Sequence, residues 1–236
     1  MKTKEPPVAD YLGVHERLYQ ALKRDCHNGW GGDQHDRRVK ATLEIVLRAF
    51  KKIPLSPPAN LLDLGCGDGS LAILLGALGF TVCGVDISPT AVQWAKEKAR
   101  KSQISVTFSV QNVVELKFPE EHFDGIIDSA CAHCIIGPSR DPYFQGIFRA
   151  LKLYGSYVLM CLCEDPVEEE ILNHFDNNTR TVVKNGIAGR YYGHLESILN
   201  EVSLAGLTIQ SFMKTQDSET NQTELFLVAV KTPREK

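Results

Sequence analysis

A short apolar run that leads directly into a glycine-rich loop constrains the fold of this chain more than any other feature. Residues 61–64 are apolar apart from Asp63, the loop Gly65-Cys66-Gly67-Asp68-Gly69 follows, and a predicted helix begins at Ser70. Glycines at such a junction permit a tight turn and let backbone N–H groups approach a ligand closely. Asp86 ends the next predicted strand, where its carboxylate can accept hydrogen bonds from both hydroxyls of a ribose. Together these elements predict a nucleoside-binding α/β fold.

The rest of the chain alternates predicted strands and helices, as a parallel sheet covered on both faces requires. Strands are predicted at residues 61–64, 81–86, 106–110, 123–128, 156–162, 207–214 and 224–231, and helices at 70–78, 89–101, within 139–153 and at 193–204. Residues 215–223 are too few for a crossover helix, so the last two strands should be antiparallel. Residues 165–192 are polar and less regular, and we expect a substrate-side insertion there.

Charge and composition exclude several classes of protein. A net charge of -3, with the charges spread along the chain, favours neither nucleic acid nor anionic lipid as a partner. No apolar stretch approaches the roughly 18 residues of a membrane span, and residues 1–7 lack the apolar core of a secretory signal. We therefore expect a cytoplasmic protein that does not enter a membrane, and its oligomeric state is left open.

The charges beside the loop distinguish between two cofactors. A dinucleotide fingerprint places its third glycine where this chain has Ser70. Asp63 and Asp68 would also put negative charge next to a pyrophosphate, which is repulsive. A cofactor with a positive sulfonium and an α-amino group suits these carboxylates better. The sequence thus favours S-adenosylmethionine over NAD.

Four segments then resemble motifs of the class I S-adenosylmethionine-dependent methyltransferases, in the order and spacing of that family. They are residues 61–70, 82–88, 123–128 and 151–159, which resemble motif I, the acidic motif after it, the fourth strand and the Leu-Lys-Pro-Gly-Gly segment before strand five. The resemblance implies a Rossmann-like, mostly parallel seven-stranded sheet in the order 3-2-1-4-5-7-6, with strand 7 antiparallel and helices on both faces. Residues 58–236 would form this methyltransferase domain, in one compact unit with a helical extension at residues 1–57.

The resemblance also assigns residues to the cofactor. Gly65, Cys66 and Gly67 would line its methionine end, with Asp63 beside them, while Asp86 would hold the ribose and Ile87 would flank the adenine. Asn112, followed by Val113, occupies the place of an Asp near the adenine amine, and Ser129 lies after strand four beside the methionine group. Lids formed by N-terminal helices are common in the family. We therefore expect residues 1–57 to cover the cofactor, with Trp30 as its large aromatic; ordinary packing of a helix on the sheet is the alternative.

Fewer residues are candidates for binding the methyl acceptor or for acting as a general base. His133 follows strand four and is predicted to act as a general base or to orient the substrate; the alternative is a histidine satisfied by backbone groups. Arg190 and Tyr191 lie in the irregular insertion, where they would contact substrate or cap the following helix. Arg140 is a weaker candidate for binding an anionic acceptor, and a solvated helix start is the plainer interpretation.

Seven cysteines in one chain make an odd number, which argues against a disulfide framework. Cys131 and Cys134 follow the predicted fourth strand, and Cys161 and Cys163 end the fifth, which should be its neighbour. A zinc site or thiol capture of a soft metalloid is therefore conceivable. The spacing of Cys161 and Cys163 is unusual for zinc. Buried, inert thiols are the better interpretation, and no metal is expected.

The sequence therefore predicts a methyltransferase that uses S-adenosylmethionine and acts on a small molecule at an O, N or S atom. Residues 128–131 lack the Asn-Pro-Pro-Tyr type signature of enzymes that methylate nucleic-acid amines. A protein side chain is the second candidate acceptor. A non-catalytic nucleoside-binding module is the third hypothesis, and an NAD-dependent oxidoreductase is the last.

Overall fold

The structure is a computed structural model that describes residues 8–53, 55–217 and 220–233. Residues 1–7, which we expect not to form a secretory signal, lie outside these ranges. So does Pro54, which belongs to the expected helical extension. The helices are α1 (Tyr11–Arg24), α2 (His35–Phe50), α3 (Ser70–Ala77), α4 (Pro89–Ser102), α5 (Arg140–Ala150), α6 (Glu169–Leu172) and α7 (Leu195–Leu204). The strands are β1 (Val8–Ala9), β2 (Asn60–Leu64), β3 (Thr81–Asp86), β4 (Thr107–Val110), β5 (Phe123–Ser129), β6 (Leu151–Leu162), β7 (Phe175–Asp176), β8 (Thr181–Lys184), β9 (Ile187–Tyr191), β10 (Leu207–Gln216) and β11 (Thr223–Lys231).

Seven of the strands form the main sheet, in the order β4-β3-β2-β5-β6-β11-β10. All neighbours from β4 to β6 are parallel, whereas β11 is antiparallel to both β6 and β10. Counted along the main sheet alone, this is the predicted order 3-2-1-4-5-7-6 with one reversed strand. The predicted Rossmann-like fold is therefore confirmed.

Apolar clusters cover both faces of this sheet, because successive strand residues point to opposite sides. Leu61 and Ile127 belong to the cluster beneath α2, α3 and α4, while Leu62 and Ile126 belong to the cluster beneath α5 and α7. All four side chains are fully or almost fully buried. No helix within the described residues is long and apolar enough to cross a membrane.

The segment from 165 to 192 is more regular than its sequence suggests. It contains the one-turn helix α6 and the strands β7, β8 and β9, which join β1 in a small four-stranded sheet ordered β1-β9-β8-β7. These strands have 2 to 5 residues, too few to show a clear alternation of apolar and polar positions. β1 pairs with β9 in parallel, so the N-terminal extension and the insertion share a backbone ladder.

Arg140 is buried at the start of α5, with only 5% of its surface exposed. Its guanidinium donates to both carboxylate oxygens of Glu201 on α7, at 2.6 and 2.7 Å. It also donates to the carbonyl oxygens of Ala132 and Ile135, at 2.7 and 3.0 Å. Arg140 is therefore neither a solvated helix start nor a group facing an acceptor; it attaches the loop after β5 to α7.

We expect Arg140→Ala to lower the free energy of unfolding by about 3–5 kcal/mol, because it leaves a partly buried carboxylate and two carbonyls without their donor. The matched control is Arg48→Ala, which removes an exposed pair with Glu44 one helical turn away and should cost about 0.3–0.5 kcal/mol. Urea unfolding of both variants measures the difference. Equal losses in the two variants would show that Arg140 has no special structural role.

Candidate active site

A cavity of about 330 Å³ opens at the carboxyl ends of β2, β3, β5 and β6, beneath α1 and α2. Open α/β sheets bind ligands at this edge. Its wall includes every residue that the sequence assigned to the cofactor: Asp63, Gly65, Cys66, Gly67, Asp86, Ile87, Asn112, Val113, Ser129 and Trp30. The fold thus brings all of them to one place, while their individual contacts with the cofactor stay predictions.

The backbone of the glycine loop leaves no room for a side chain at Gly65 or Gly67. Gly65 and Gly67 have φ values of 64° and 55°, in the left-handed region that favours glycine. A Cβ atom on Gly67 would lie 2.4 Å from the Tyr19 hydroxyl, and one on Gly65 would lie 2.9 Å from the Cys131 sulfur. The loop is therefore open enough to receive a ligand only because both positions are glycine.

Asp86 joins the end of β3 to this loop through both of its carboxylate oxygens. Oδ2 accepts a hydrogen bond from the Gly67 N–H and Oδ1 accepts one from the Ser88 N–H, each at 2.9 Å. Burial raises the pKa of Asp86, although these two N–H donors and the charge of His15 oppose the shift. Since a carboxylate oxygen can accept two hydrogen bonds, each oxygen retains capacity for one ribose hydroxyl.

Asp63 is buried at the base of the cavity with an unpaired oxygen. Only 2% of its surface is exposed, and its Oδ2 has no hydrogen-bond partner within the described part of the chain. Burial raises the pKa of Asp63 to about 8, and the charges of Asp128, Asp86 and Asp68 act in the same direction. A buried acceptor without a donor is costly, so a positively charged ligand group at this point would be stabilising. The amino group and sulfonium of S-adenosylmethionine fit such a site, whereas a pyrophosphate does not.

Asp68 contributes less to this charge argument than its sequence position suggests. It is absent from the cavity wall and accepts a hydrogen bond from Lys98 on α4, with Nζ 2.9 Å from Oδ1. The same oxygen accepts hydrogen bonds from the backbone and hydroxyl of Ser70. Lys98 thus balances the charge of Asp68, and the preference for a cationic cofactor depends on Asp63.

Asn112 lies at the edge of the cavity where the adenine is expected. Its Oδ1 accepts a hydrogen bond from the Val114 N–H at 3.1 Å and caps a short 3₁₀ turn. The oxygen has a second lone pair, which leaves it able to accept from an adenine amine.

Helices α1 and α2 and the segment between them form a roof over the glycine loop. Trp30 lies 5.7 Å from the ring of Tyr19 and 6.2 Å from that of His15, measured between centroids, and all three line the cavity. Glu16 attaches α1 to the beginning of α4 by accepting hydrogen bonds from the Ser88 hydroxyl, at 2.6 Å, and from the Thr90 N–H, at 3.2 Å. This arrangement suits the predicted lid.

His133 lines the cavity with 6% of its surface exposed. Its Nδ1 accepts a hydrogen bond from the Leu162 N–H at 3.3 Å. A neutral imidazole that accepts at Nδ1 carries its proton on Nε2, which is then a donor. This geometry favours a group that orients an acceptor over one that removes its proton, although the bond to Leu162 is also what a histidine satisfied by the backbone would make.

Arg190 and Tyr191 lie on β9, outside the cavity wall. The Arg190 guanidinium lies 5.7 Å from the centroid of the Trp30 ring, and the Arg140 guanidinium lies 4.1 Å from that of Tyr191. Arg190 therefore contacts an aromatic ring that lines the cavity, whereas Tyr191 contacts Arg140, which is not part of the wall. A direct contact with substrate stays a prediction.

The four cysteines near His133 differ from one another. Burial raises the pKa of Cys131 and Cys161 well above the ordinary thiol value, as expected for inert side chains. Burial also opposes ionisation of Cys134, but the neighbouring His133 and His15 outweigh it and lower the pKa of this thiol well below its ordinary value. Within the described ranges no group of three or more His, Cys, Asp or Glu residues is arranged to hold a metal ion. Cys134 is thus the exception to the prediction of inert thiols.

The wall far from the glycine loop contains residues that the sequence analysis missed. They come from α2, the end of β6 and the region of β10 and β11, and they include Arg38, Thr42, Ile45, Met160, Asp217 and Glu224. Arg38, Thr42 and Ile45 share the i, i+4, i+7 spacing of one helix face, which is a signal that could have indicated them. Asp217 and Glu224 carry no such signal, because only the folded sheet brings them to the cavity.

Comparisons with known proteins agree with this geometry. Residues 61–155 match the family described as "Methyltransferase domain". An uncharacterized methyltransferase of Schizosaccharomyces pombe is 36% identical over 105 residues, which cover 44% of this chain and 72% of that protein. The 2-heptyl-1-hydroxyquinolin-4(1H)-one methyltransferase of Mycobacteroides abscessus is 34% identical over 102 residues, or 43% of this chain and 45% of the relative. The matched region thus spans less than half the length of the Mycobacteroides protein.

Two further matches extend over more of the chain. Human EEF1A lysine methyltransferase 2 is 28% identical over 172 residues, covering 69% of each protein. The crystal structure of a SAM-dependent methyltransferase from Methanosarcina mazei has a TM-score of 0.65 at 19% identity, covering 80% of this chain and 98% of that one. The chain therefore belongs to the class I S-adenosylmethionine-dependent methyltransferases, and S-adenosylmethionine is its cofactor.

Replacement of the unpaired Asp63 should have opposite effects on the stability of the protein and on its affinity for the cofactor product. Its pKa of about 8 lies far above the ordinary 3.8, so the folded state prefers the neutral acid, and stability that is complete at low pH is lost as the pH rises toward 8. Asp63→Asn removes this loss, and we expect the melting temperature without cofactor to exceed that of the unaltered protein by a few degrees at pH 8 and by less at pH 5.

The same variant should bind S-adenosylhomocysteine about tenfold more weakly, because the ligand's amino group loses a charged acceptor. Thermal melts at the two pH values and calorimetric titration at pH 8 measure the two effects. A variant that melts below the unaltered protein at pH 8 would contradict the assignment of Asp63 as an uncompensated buried acid.

Proposed function

We propose that this protein transfers the methyl group of S-adenosylmethionine to a small-molecule acceptor bound in the far part of the same cavity. One observation carries the proposal. The cavity continues from the residues that suit the cofactor to a wall, formed by α2 and the ends of β6 and β11, that contains none of them. Such a continuous cavity provides a place for the acceptor beside the methyl donor, and proximity is the main requirement of an in-line displacement.

Each residue of the cavity has a separate role in this reaction. When bound, the cofactor supplies a methyl group already activated by a positive sulfur. Asp86 holds the ribose, Asp63 pairs with the positive end, and the glycine loop lets the backbone come close to both. His133 donates from Nε2 and orients the acceptor. The α1–α2 roof with Trp30 excludes water from the site, and the Arg190 guanidinium packs against the Trp30 ring.

Several facts favour a small acceptor. The roof covers the cavity with side chains from both N-terminal helices, and the net charge of -3 offers no general attraction for nucleic acid. The Mycobacteroides relative is named for a quinolone, a small molecule. A protein side chain is the second candidate, supported by the similarity to the human lysine methyltransferase.

Asp86→Asn tests the cofactor half of the proposal. An amide has one acceptor oxygen and one donor nitrogen, so it sets an NH₂ group against the N–H of either Gly67 or Ser88. We expect S-adenosylhomocysteine to bind about 100-fold more weakly, which corresponds to about 2.7 kcal/mol. The control is Asp25→Asn on the exposed end of α1, which should bind normally. Calorimetry decides between outcomes, and binding of NAD in place of S-adenosylhomocysteine would contradict the assignment.

Transfer itself is measured with S-adenosylmethionine labelled in its methyl group. We expect the label to enter the small-molecule fraction of a cell extract and of a panel of alcohols, amines and thiols, with His133→Ala reducing kcat. Label found only in proteins would favour the side-chain candidate. Cofactor binding without transfer to any fraction would favour a nucleoside-binding module.

A further inference from the structure

The far wall of the cavity has a charge imbalance. Two carboxylates, from Asp217 and Glu224, face it together with one guanidinium, from Arg38. Apolar side chains, among them Ile45 and Met160, line the same cavity. Asp63, whose Oδ2 is buried and unpaired, lines the same cavity, so the wall forms part of a ligand site rather than an isolated acidic surface.

Glu224 lies close to the group expected to orient the acceptor. It begins the ladder between β11 and β6, where its backbone partner is Leu162. The N–H of Leu162 donates to His133, so Glu224 and His133 flank the same strand end and both line the cavity. The charges of Asp217, His133 and Arg38 all act on the Glu224 carboxylate.

The environment of Glu224 makes it a better proton acceptor than an exposed carboxylate. Burial raises its pKa and the charge of Asp217 adds to the shift, whereas His133 and Arg38 oppose it without cancelling it. His133, whose Nδ1 accepts a hydrogen bond from the Leu162 N–H, offers a donor at Nε2. The two groups can therefore have different tasks, with Glu224 accepting a proton and His133 donating a hydrogen bond.

We propose that the acceptor is an amine on an apolar carbon skeleton, and that Glu224 binds it as an ammonium and then takes its proton. This inference depends on the proposed methyl transfer and specifies its substrate class. An anionic acceptor would meet the surplus negative charge of the far wall. A neutral alcohol or thiol would gain no ion pair there.

The chemistry balances without another reactant. The ammonium gives one proton to Glu224, which becomes a neutral acid, and the nitrogen recovers its lone pair. That lone pair forms a bond to the methyl carbon while the bond from the methyl carbon to sulfur breaks and its electron pair stays on sulfur. The products are an N-methylammonium ion and S-adenosylhomocysteine. Loss of the proton from Glu224 to solvent completes the cycle.

Binding to the complex with S-adenosylhomocysteine tests the inference independently of turnover. The probes are n-hexylamine, hexanol, hexanethiol and hexanoate, which share one apolar chain, together with a short lysine-containing peptide that separates a protein source of the amine from a small one. We expect hexylamine to bind best of the four. Glu224→Gln should weaken hexylamine at least tenfold, and Glu224→Asp should restore part of the loss.

The control is Glu196→Gln on the exposed first turn of α7, which removes the same charge away from the cavity. All variants should bind S-adenosylhomocysteine like the unaltered protein, which also shows that they are folded. Hexylamine binding should strengthen as the pH rises through the raised pKa of Glu224, and Glu224→Gln should lose this dependence.

The outcomes separate the two proposals. Failure of the unaltered protein to bind S-adenosylhomocysteine overturns the proposed function itself. Normal binding of S-adenosylhomocysteine without binding of any amine overturns only the inference, as does equal hexylamine affinity in Glu224→Gln or tighter binding of hexanoate. Tight binding of the lysine peptide with none of hexylamine keeps the amine class and assigns it to a protein source.

Discussion

The hydrogen bond from the Gly67 N–H to the Asp86 carboxylate is the contact on which the rest of the site depends. It joins the loop after β2 to the end of β3 and fixes the distance between the two places where a nucleoside ligand must be held. The same carboxylate holds the Ser88 N–H at the beginning of α4, and the Ser88 hydroxyl in turn donates to Glu16 on α1. The buried Asp86 thus fixes the glycine loop, and through Ser88 it is connected to Glu16 on α1, which is part of the roof.

This arrangement places several carboxylates near one another. Asp63, Asp86 and Asp128 are all almost completely buried, and the charges of Asp86 and Asp128 raise the cost of ionising Asp63. Asp128 is fully hydrogen-bonded to the hydroxyls of Tyr143 and Tyr157 and to two backbone N–H groups of the loop after β5. Asp86 has its two N–H donors. Of these three described acids, only Asp63 retains a buried oxygen with no donor, and this difference favours a positively charged ligand group beside it.

The sequence predicts the main sheet and the cofactor end well, because local patterns determine both. Glycines at 65 and 67, an acid at the end of β3 and the short link before β11 are features that a reader of the sequence can recognise from spacing alone. The small sheet was not predicted, because strands as short as Phe175–Asp176 show no periodicity. The acidic residues of the far wall were also missed, because the pairing of β11 with β6 and with β10 brings Glu224 and Asp217 to the cavity. The ion pair of Asp68 with Lys98 was not foreseen either, since Lys98 lies on α4, 30 residues further along the chain.

The ladder between β1 and β9 has a consequence for how this protein can diversify. Two segments that are distant in the chain, the N-terminal extension and the insertion after β6, are joined by hydrogen-bonded backbone in one small sheet. A deletion or lengthening in either segment changes the register available to the other. Exchange of the N-terminal extension between relatives, by recombination or by design, therefore has to transfer the insertion with it, although residues 58–164 between them can stay as they are.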